Sequence, residues 1–180
     1  MIGIIDYNLG NIKSVLNACE RVGIEAKLNK NIDDVDAIIL PGVGSFSTAM
    51  RNLGELADKI KNFDKPILGI CLGMQILFEK GYEDEEYFGL GLLKGEVKKI
   101  PTNKKLPHMG WNTLSKTQKD VYFVHSYMAD FNEETIEYTE YGGVKIPAIV
   151  GHGNILGYQF HPEKSGKVGE EILKRWAKCI

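Results

Sequence analysis

Short apolar runs alternate with helical spacings through the first half of the chain. Gly3-Ile4-Ile5 reads as a buried strand, and a turn follows at Asn8-Leu9-Gly10. Ile12, Val15, Leu16, Cys19 and Val22 then recur at i, i+3, i+4, which lines them up as one stripe of a helix, and Gly23 stops it. Ala37-Ile38-Ile39-Leu40 is the next strand, broken by Pro41-Gly42-Val43-Gly44, and the helix after it carries Phe46, Met50 and Leu53. Pro66-Ile67-Leu68-Gly69-Ile70 is a third strand, followed by a helix expected to hold Leu72, Gln75, Ile76 and Glu79. Such alternation predicts βαβ units around a parallel sheet.

Past residue 90 the texture turns strand-like, with pieces at Val97 to Ile100, Tyr122 to Met128, Thr135 to Tyr141 and Ile155 to Phe160. These predict an antiparallel or mixed extension of the sheet. A last amphipathic helix, Gly166 to Cys179, sets Val168, Ile172, Leu173 and Trp176 on one face. No linker, repeat or low-complexity segment interrupts the pattern, so residues 1–180 read as one domain.

Composition changes this picture little. With 180 residues, 43% hydrophobic and 26% charged, the chain can bury roughly 70% of its unfolded surface without a disulfide or metal staple. A net charge of -2 leaves no electrostatic footprint for nucleic acid and suits a small-molecule site or a protein interface. The basic residues Lys94, Lys98, Lys99, Lys104 and Lys105 are scattered and read as a solvated face. Cys19, Cys71 and Cys179 lie far apart, which points to free thiols in a reducing compartment. Met1-Ile2-Gly3-Ile4-Ile5-Asp6 lacks the form of a secretory signal, and no apolar run reaches membrane-spanning length, so no membrane is expected and the cytoplasm is the natural location. The histidines and cysteines lack zinc-type spacing, so neither a metal nor a cofactor is expected.

Candidate chemistry concentrates at Gly69-Ile70-Cys71-Leu72-Gly73, where a strand meets a helix in the form of a nucleophile elbow with cysteine in the serine's place. A sharp strand-to-helix turn strains the nucleophile's backbone and leaves no room for side chains on either flank, which glycine relieves. The helix N-terminus favours thiolate, and the Leu72 amide would face the oxyanion formed by attack on a carbonyl. Taken alone, Cys71 could equally be a small buried hydrophobe. A base is needed, and among His108, His125, His152 and His161 the last is best placed, directly after a strand and two residues before Glu163, which could orient the imidazole. His161 and Glu163 could also be an exposed ion pair, and His152, between two glycines, a turn residue. The small residues of Pro41-Gly42-Val43-Gly44, at a strand's C-terminal end, could bring a second amide to the oxyanion.

These three pieces, in this order, resemble the class I (triad) glutamine amidotransferases. Pro107-His108-Met109-Gly110-Trp111-Asn112, Tyr122-Phe123-Val124-His125-Ser126-Tyr127 and Gln159 through Ser165, with the opening Asp6-Tyr7-Asn8-Leu9-Gly10-Asn11, are most similar to the glutaminase subunits of imidazole glycerol phosphate synthase. The resemblance covers essentially the whole chain. It implies a flavodoxin-like α/β fold and hydrolysis of glutamine through a thioester on Cys71, with His161 and Glu163 completing the triad. Val43, Gly44 and Leu72 match oxyanion positions, and Gln75, Glu83, Ser126 and Tyr127 match positions that hold glutamine's polar ends. Trp111, Tyr122 and Lys164 match the face that meets a (βα)8-barrel synthase partner. That partner would receive the ammonia and make imidazole glycerol phosphate and an aminoimidazole carboxamide ribotide in histidine biosynthesis. Free ammonia is protonated in water, so a sealed passage between the two proteins is a physical expectation.

Three other readings compete. A glutaminase serving another synthase would not need the segments around Trp111 and His125. A non-catalytic scaffold would not need an intact Cys71, His161 and Glu163. A freestanding thiol hydrolase would turn over fully without a partner.

Overall fold

A computed structural model describes residues 1–180. The first half runs β1 (Ile2–Ile5), α1 (Ile12–Arg21), β2 (Ala26–Asn29), β3 (Ala37–Leu40), α2 (Phe46–Leu53), α3 (Leu56–Lys61), β4 (Ile67–Ile70) and the single-turn α4 (Leu72–Gln75). The second runs β5 (Lys80–Tyr82), β6 (Glu86–Phe88), β7 (Glu96–Lys99), β8 (His108–Thr113), β9 (Asp120–His125), β10 (Tyr127–Ala129), β11 (Thr135–Tyr141), β12 (Val144–His152) and β13 (Ile155–Tyr158). A 3-10 turn, Pro162–Lys164, leads into α5 (Gly166–Ala177).

The main sheet has seven strands in the order β11-β12-β13-β4-β3-β1-β2. From β2 through β13 every neighbouring pair is parallel, which gives the doubly wound 2-1-3-4-5 order of flavodoxin-like folds, and β12 and β11 extend it antiparallel. The expected parallel sheet with an antiparallel extension is therefore present. Its central strands β1, β3 and β4 are buried on both faces, as their unbroken apolar runs require. Ile5, Ile38, Leu40 and Ile67 pack with α2 and α4, while Ile4, Ile39, Leu68 and Ile70 pack with α1 and α5.

Several elements depart from the expected pattern. The edge strand β2 is half-exposed and carries only Leu28 as a large apolar residue, so it sends no apolar signal. The expected helix over Leu72 to Glu79 stops after one turn. Residues 71–78 are buried on every side, and the carbonyls of Ile76, Leu77 and Phe78 accept the amides of Leu90, Leu92, Leu93 and Gly91 instead of continuing a helix. The run Tyr122 to Met128 breaks at Ser126, with β9 pairing to β8 and β10 to β7. His152 is not a turn residue but the last residue of β12, 3.4 Å from Glu134. No helix is long and apolar enough to cross a membrane.

The loops after β1 and β3 meet at the point where strand order reverses. A Cβ on Gly10 would lie 3.1 Å from the Gly42 Cα, and its φ of +110° is one that side chains rarely adopt, so the close approach favours glycine there. The Tyr7 hydroxyl donates to the Pro41 carbonyl and pins the second loop against the first.

Candidate active site

Cys71 sits between β4 and α4 with φ 52° and ψ −107°, a backbone conformation that costs a non-glycine residue about 1–3 kcal/mol. Parallel pairing with β13 holds it there: its amide donates to the Tyr158 carbonyl at 2.7 Å. A Cβ on Gly69 would come within 2.5 Å of the Gly73 carbonyl oxygen, and one on Gly73 would run into the Leu40 carbonyl. The elbow is thus fitted to hydrogen at both flanks, for the reason its sequence suggested.

His161 follows β13 and is anchored twice through its backbone. Its amide donates to the Tyr122 carbonyl at 2.9 Å, and its carbonyl accepts the Ser165 hydroxyl at 2.6 Å, while Ser165 Oγ also accepts the Tyr122 amide. Nδ1 of His161 lies 2.7 Å from Glu163 Oε1, and both side chains are 2% exposed. An ion pair of this kind is buried, not the exposed one that an isolated reading allowed. Burial by itself disfavours the imidazolium, but Cys71 and Glu163 outweigh it and push the His161 pKa up to about 10. Nε2 of His161 makes no other hydrogen bond and is free for the thiol.

In front of Cys71 opens a cavity of about 320 Å³. Val43, Gly44, Leu72, Gln75, Glu83, Ser126 and Tyr127 all line it, together with Cys71. Thus the chain gathers the nucleophile, the expected amide donors and the expected polar contacts around one space. The amides of Val43, Gly44 and Leu72 make no hydrogen bond within the chain. Glu83 leaves its acidic run to accept the Phe46 amide at 2.8 Å; burial raises its pKa, which that bond opposes. Tyr127 donates its hydroxyl to the Glu83 carbonyl at 3.2 Å, closing the wall.

Residues without an assigned role at the sequence level complete the site. Gln159 is fully buried: its Nε2 donates to Cys71 Sγ at 3.7 Å, and its Oε1 accepts Gln75 Nε2 at 3.1 Å. The Cys71 thiol itself donates to the Val124 carbonyl at 3.8 Å. His125, Pro107 and Val124 are further walls of the cavity. For Gln159 the available signal was a polar residue enclosed by Tyr158 and Phe160 in an otherwise apolar strand.

Trp111, Tyr122 and Lys164 stand outside the cavity. Trp111 is 60% exposed and meets Tyr122 edge to face at 6.0 Å, on the β8–β9 hairpin whose Tyr122 carbonyl holds His161; Lys164 is exposed on the 3-10 turn.

A thiol at a sharp elbow, an imidazole–carboxylate pair near it and a doubly wound sheet beneath are the arrangement that a glutamine amidotransferase would need. The model of the family "Glutamine amidotransferase class-I" matches residues 4–179, and the chain belongs to that family. Within it the chain is a member of the group named imidazole glycerol phosphate synthase subunit HisH. The HisH of Lactococcus lactis subsp. lactis strain IL1403 is 54% identical over 199 residues, covering 99% of this chain and 98% of the relative. That of Caldanaerobacter subterraneus subsp. tengcongensis is 46% identical over 201 residues, covering 100% and 98%. Among solved structures, a glutamine amidotransferase superposes with a TM-score of 0.76 at 20% identity, covering 99% of both chains. A chain of PurLQS from Thermotoga maritima gives 0.73 at 20%, covering 99% of this chain and 97% of its own. At such identities these two speak for the shared fold alone.

Proposed function

We propose that the chain is the glutaminase subunit of an imidazole glycerol phosphate synthase, with Cys71, His161 and Glu163 as its catalytic triad. The carrying observation is the single cavity that joins the Cys71 thiol to three amides without acceptors and to Gln75, Glu83, Ser126 and Tyr127. In this reading the thiolate attacks the side-chain carboxamide carbon of glutamine. The negative charge on the carbonyl oxygen is met by the Leu72 amide and by an amide of the Val43–Gly44 loop. His161, protonated and held by Glu163, gives its proton to the leaving ammonia. The same imidazole then takes a proton from water, which splits the thioester and releases glutamate.

Ammonia would leave toward a (βα)8-barrel synthase partner seated on the face of Trp111, Tyr122 and Lys164, in the cytoplasm. An exposed aromatic pair beside a basic side chain has the composition of an interface anchor. Glycines on both sides of Val43 give its peptide freedom to turn, so occupancy of the partner's site would shift the loop toward the inward amide. The test is coexpression with candidate barrel proteins and a glutaminase assay of the complex with and without synthase ligand. Glutamine turnover that needs Cys71 and rises with the ligand is expected; failure to pair with any barrel protein would sink the subunit reading, and equal rates would sink the coupling. A glutamine-mimicking alkylating reagent that labels Cys71 selectively separates the enzyme from a scaffold.

A further inference from the structure

A second, larger concavity lies on the α5 side of the sheet, between α5 and strands β11 to β13, with a volume of about 840 Å³. Helix α5 covers these strands only in part. Leu114 forms the floor, with Ile149, Leu156 and Ile172 half-exposed beside it. Tyr158 lies at the bottom, 4% exposed, and its hydroxyl makes no hydrogen bond within the chain. The hydroxyl oxygen is not sealed off, so it can be reached from the groove. Burial raises its pKa, Cys179 adds to this and Arg175 opposes it, so a cation stands close to the hydroxyl.

The rim is cationic. Lys116, Lys174, Arg175 and Lys178 line it and none is paired with a carboxylate. Its two carboxylates are already engaged: Glu171 holds Lys119 at 2.8 Å, and Glu137 Oε1 accepts the Lys116 and Thr117 amides and the Thr117 hydroxyl at 2.8, 2.6 and 3.0 Å. In a chain of net charge -2 this is a local excess of positive charge over an apolar floor.

We propose that this groove binds a small organic anion with a flat apolar body. The body lies against Ile149, Leu156 and Ile172, a polar edge meets the Tyr158 hydroxyl, and the acidic group sits between Arg175 and Lys178. The volume is within the range of about 300–1,000 Å³ typical of small-ligand sites. A recessed hydroxyl can be reached by the edge of a ring but not by the backbone of a docked helix, which favours a small molecule over an acidic segment of another protein. The position has a consequence for the rest of the molecule: the Tyr158 carbonyl holds the Cys71 amide, and α5 continues from the turn that carries Glu163. An occupant would therefore lean on the strand behind the thiol.

The probe is 8-anilinonaphthalene-1-sulfonate, titrated by fluorescence into the full chain. One saturable site per chain is expected, weakening as salt is raised toward about 0.3 M. The exposed pair R175E/K178E should weaken binding about tenfold, and Y158F about threefold, while prior alkylation of Cys71 leaves it unchanged. K174Q/K178Q, which removes charge without reversing it, gives the same direction if the first pair fails to fold. Four results would overturn the proposal: no saturable binding, unchanged affinity in the folded charge variants, loss of binding on Cys71 alkylation, or one probe per two chains.

Discussion

Two groups of buried histidines lie a short distance apart, and they are held in opposite states. His161 has a carboxylate on Nδ1 and a thiol beyond Nε2, and its pKa is raised to about 10. His108 and His125 have no anion to hold a proton; the charges that bear on His125 are those of His108 and His161. His125 Nδ1 donates to the Tyr127 carbonyl at 2.8 Å, so its Nε2 accepts from His108 Nδ1 at 3.0 Å, and His108 Nε2 accepts Asn112 Nδ2 at 3.1 Å. Each tautomer follows from the carbonyl at the end of the chain. Burial lowers His108 to about 4; at His125 burial outweighs the bond to the Tyr127 carbonyl, the charges of His108 and His161 add to it, and the pKa falls to about 3. Burial acts in the same direction at all three rings; the neighbouring charges decide whether a buried imidazole is a proton carrier or a structural strut.

The contrast can be broken from the charged side first. His161→Asn removes the proton carrier and should lower Cys71-dependent glutamine hydrolysis about 10⁴-fold or more, with the fold retained by circular dichroism. Glu163→Gln keeps a hydrogen-bond acceptor but removes the charge; turnover should fall about 10²-fold and the His161 pKa should drop, read from the pH profile of Cys71 alkylation. On the neutral side, His125→Leu leaves the His108 Nδ1 proton without a partner and takes from the Tyr127 carbonyl one of its two donors. That should destabilise the chain by about 2–3 kcal/mol in urea titration and raise KM more than it lowers kcat, since the same carbonyl holds Gln75.

Stability against pH sharpens the comparison further. For His161 the folded pKa lies above the ordinary 6.5, so its contribution is complete below pH 6.5 and is lost as pH rises toward about 10. For His108 and His125 the folded values lie below 6.5, so theirs is complete above pH 6.5 and is lost as pH falls toward about 4 and 3. Chemical denaturation across pH should show two limbs, the alkaline one flattened by His161→Asn and the acid one by His125→Leu; limbs unchanged in those variants would refute the assignment. The smallest effect is expected for Asn112→Ala, which removes one bond to His108 and should cost about 1 kcal/mol.

What the sequence disclosed of this arrangement follows the same division. β1, β3 and β4 were legible because their residues are apolar and buried on both faces, β13 because its residues form a short apolar run, and the elbow because glycine is forced at both flanks of Cys71. His161 and Glu163 were legible as a pair because they are neighbours on one turn. The His108–His125 pair was not: its partners come from two strands of a hairpin, and β8 itself alternates buried and exposed positions around a glycine and an exposed tryptophan. Gln159 was present in the motif but without a role, since its bonds reach Cys71 and Gln75 across strands. The helix after Cys71 was overdrawn because apolar residues on every side imitate a helical stripe while leaving no polar face to stop at.

The fit around Gly73 has a further implication for how this protein can change. The atoms that shape the nucleophile's turn are the same ones that seat β4 and α4 against Leu40 on β3, so reactivity and folding share a single set of contacts there. Stabilising or redesigning the molecule has freedom in the hairpins and the outer helices; at this corner any enlargement, however small, would unseat the sheet and displace the sulfur in one stroke.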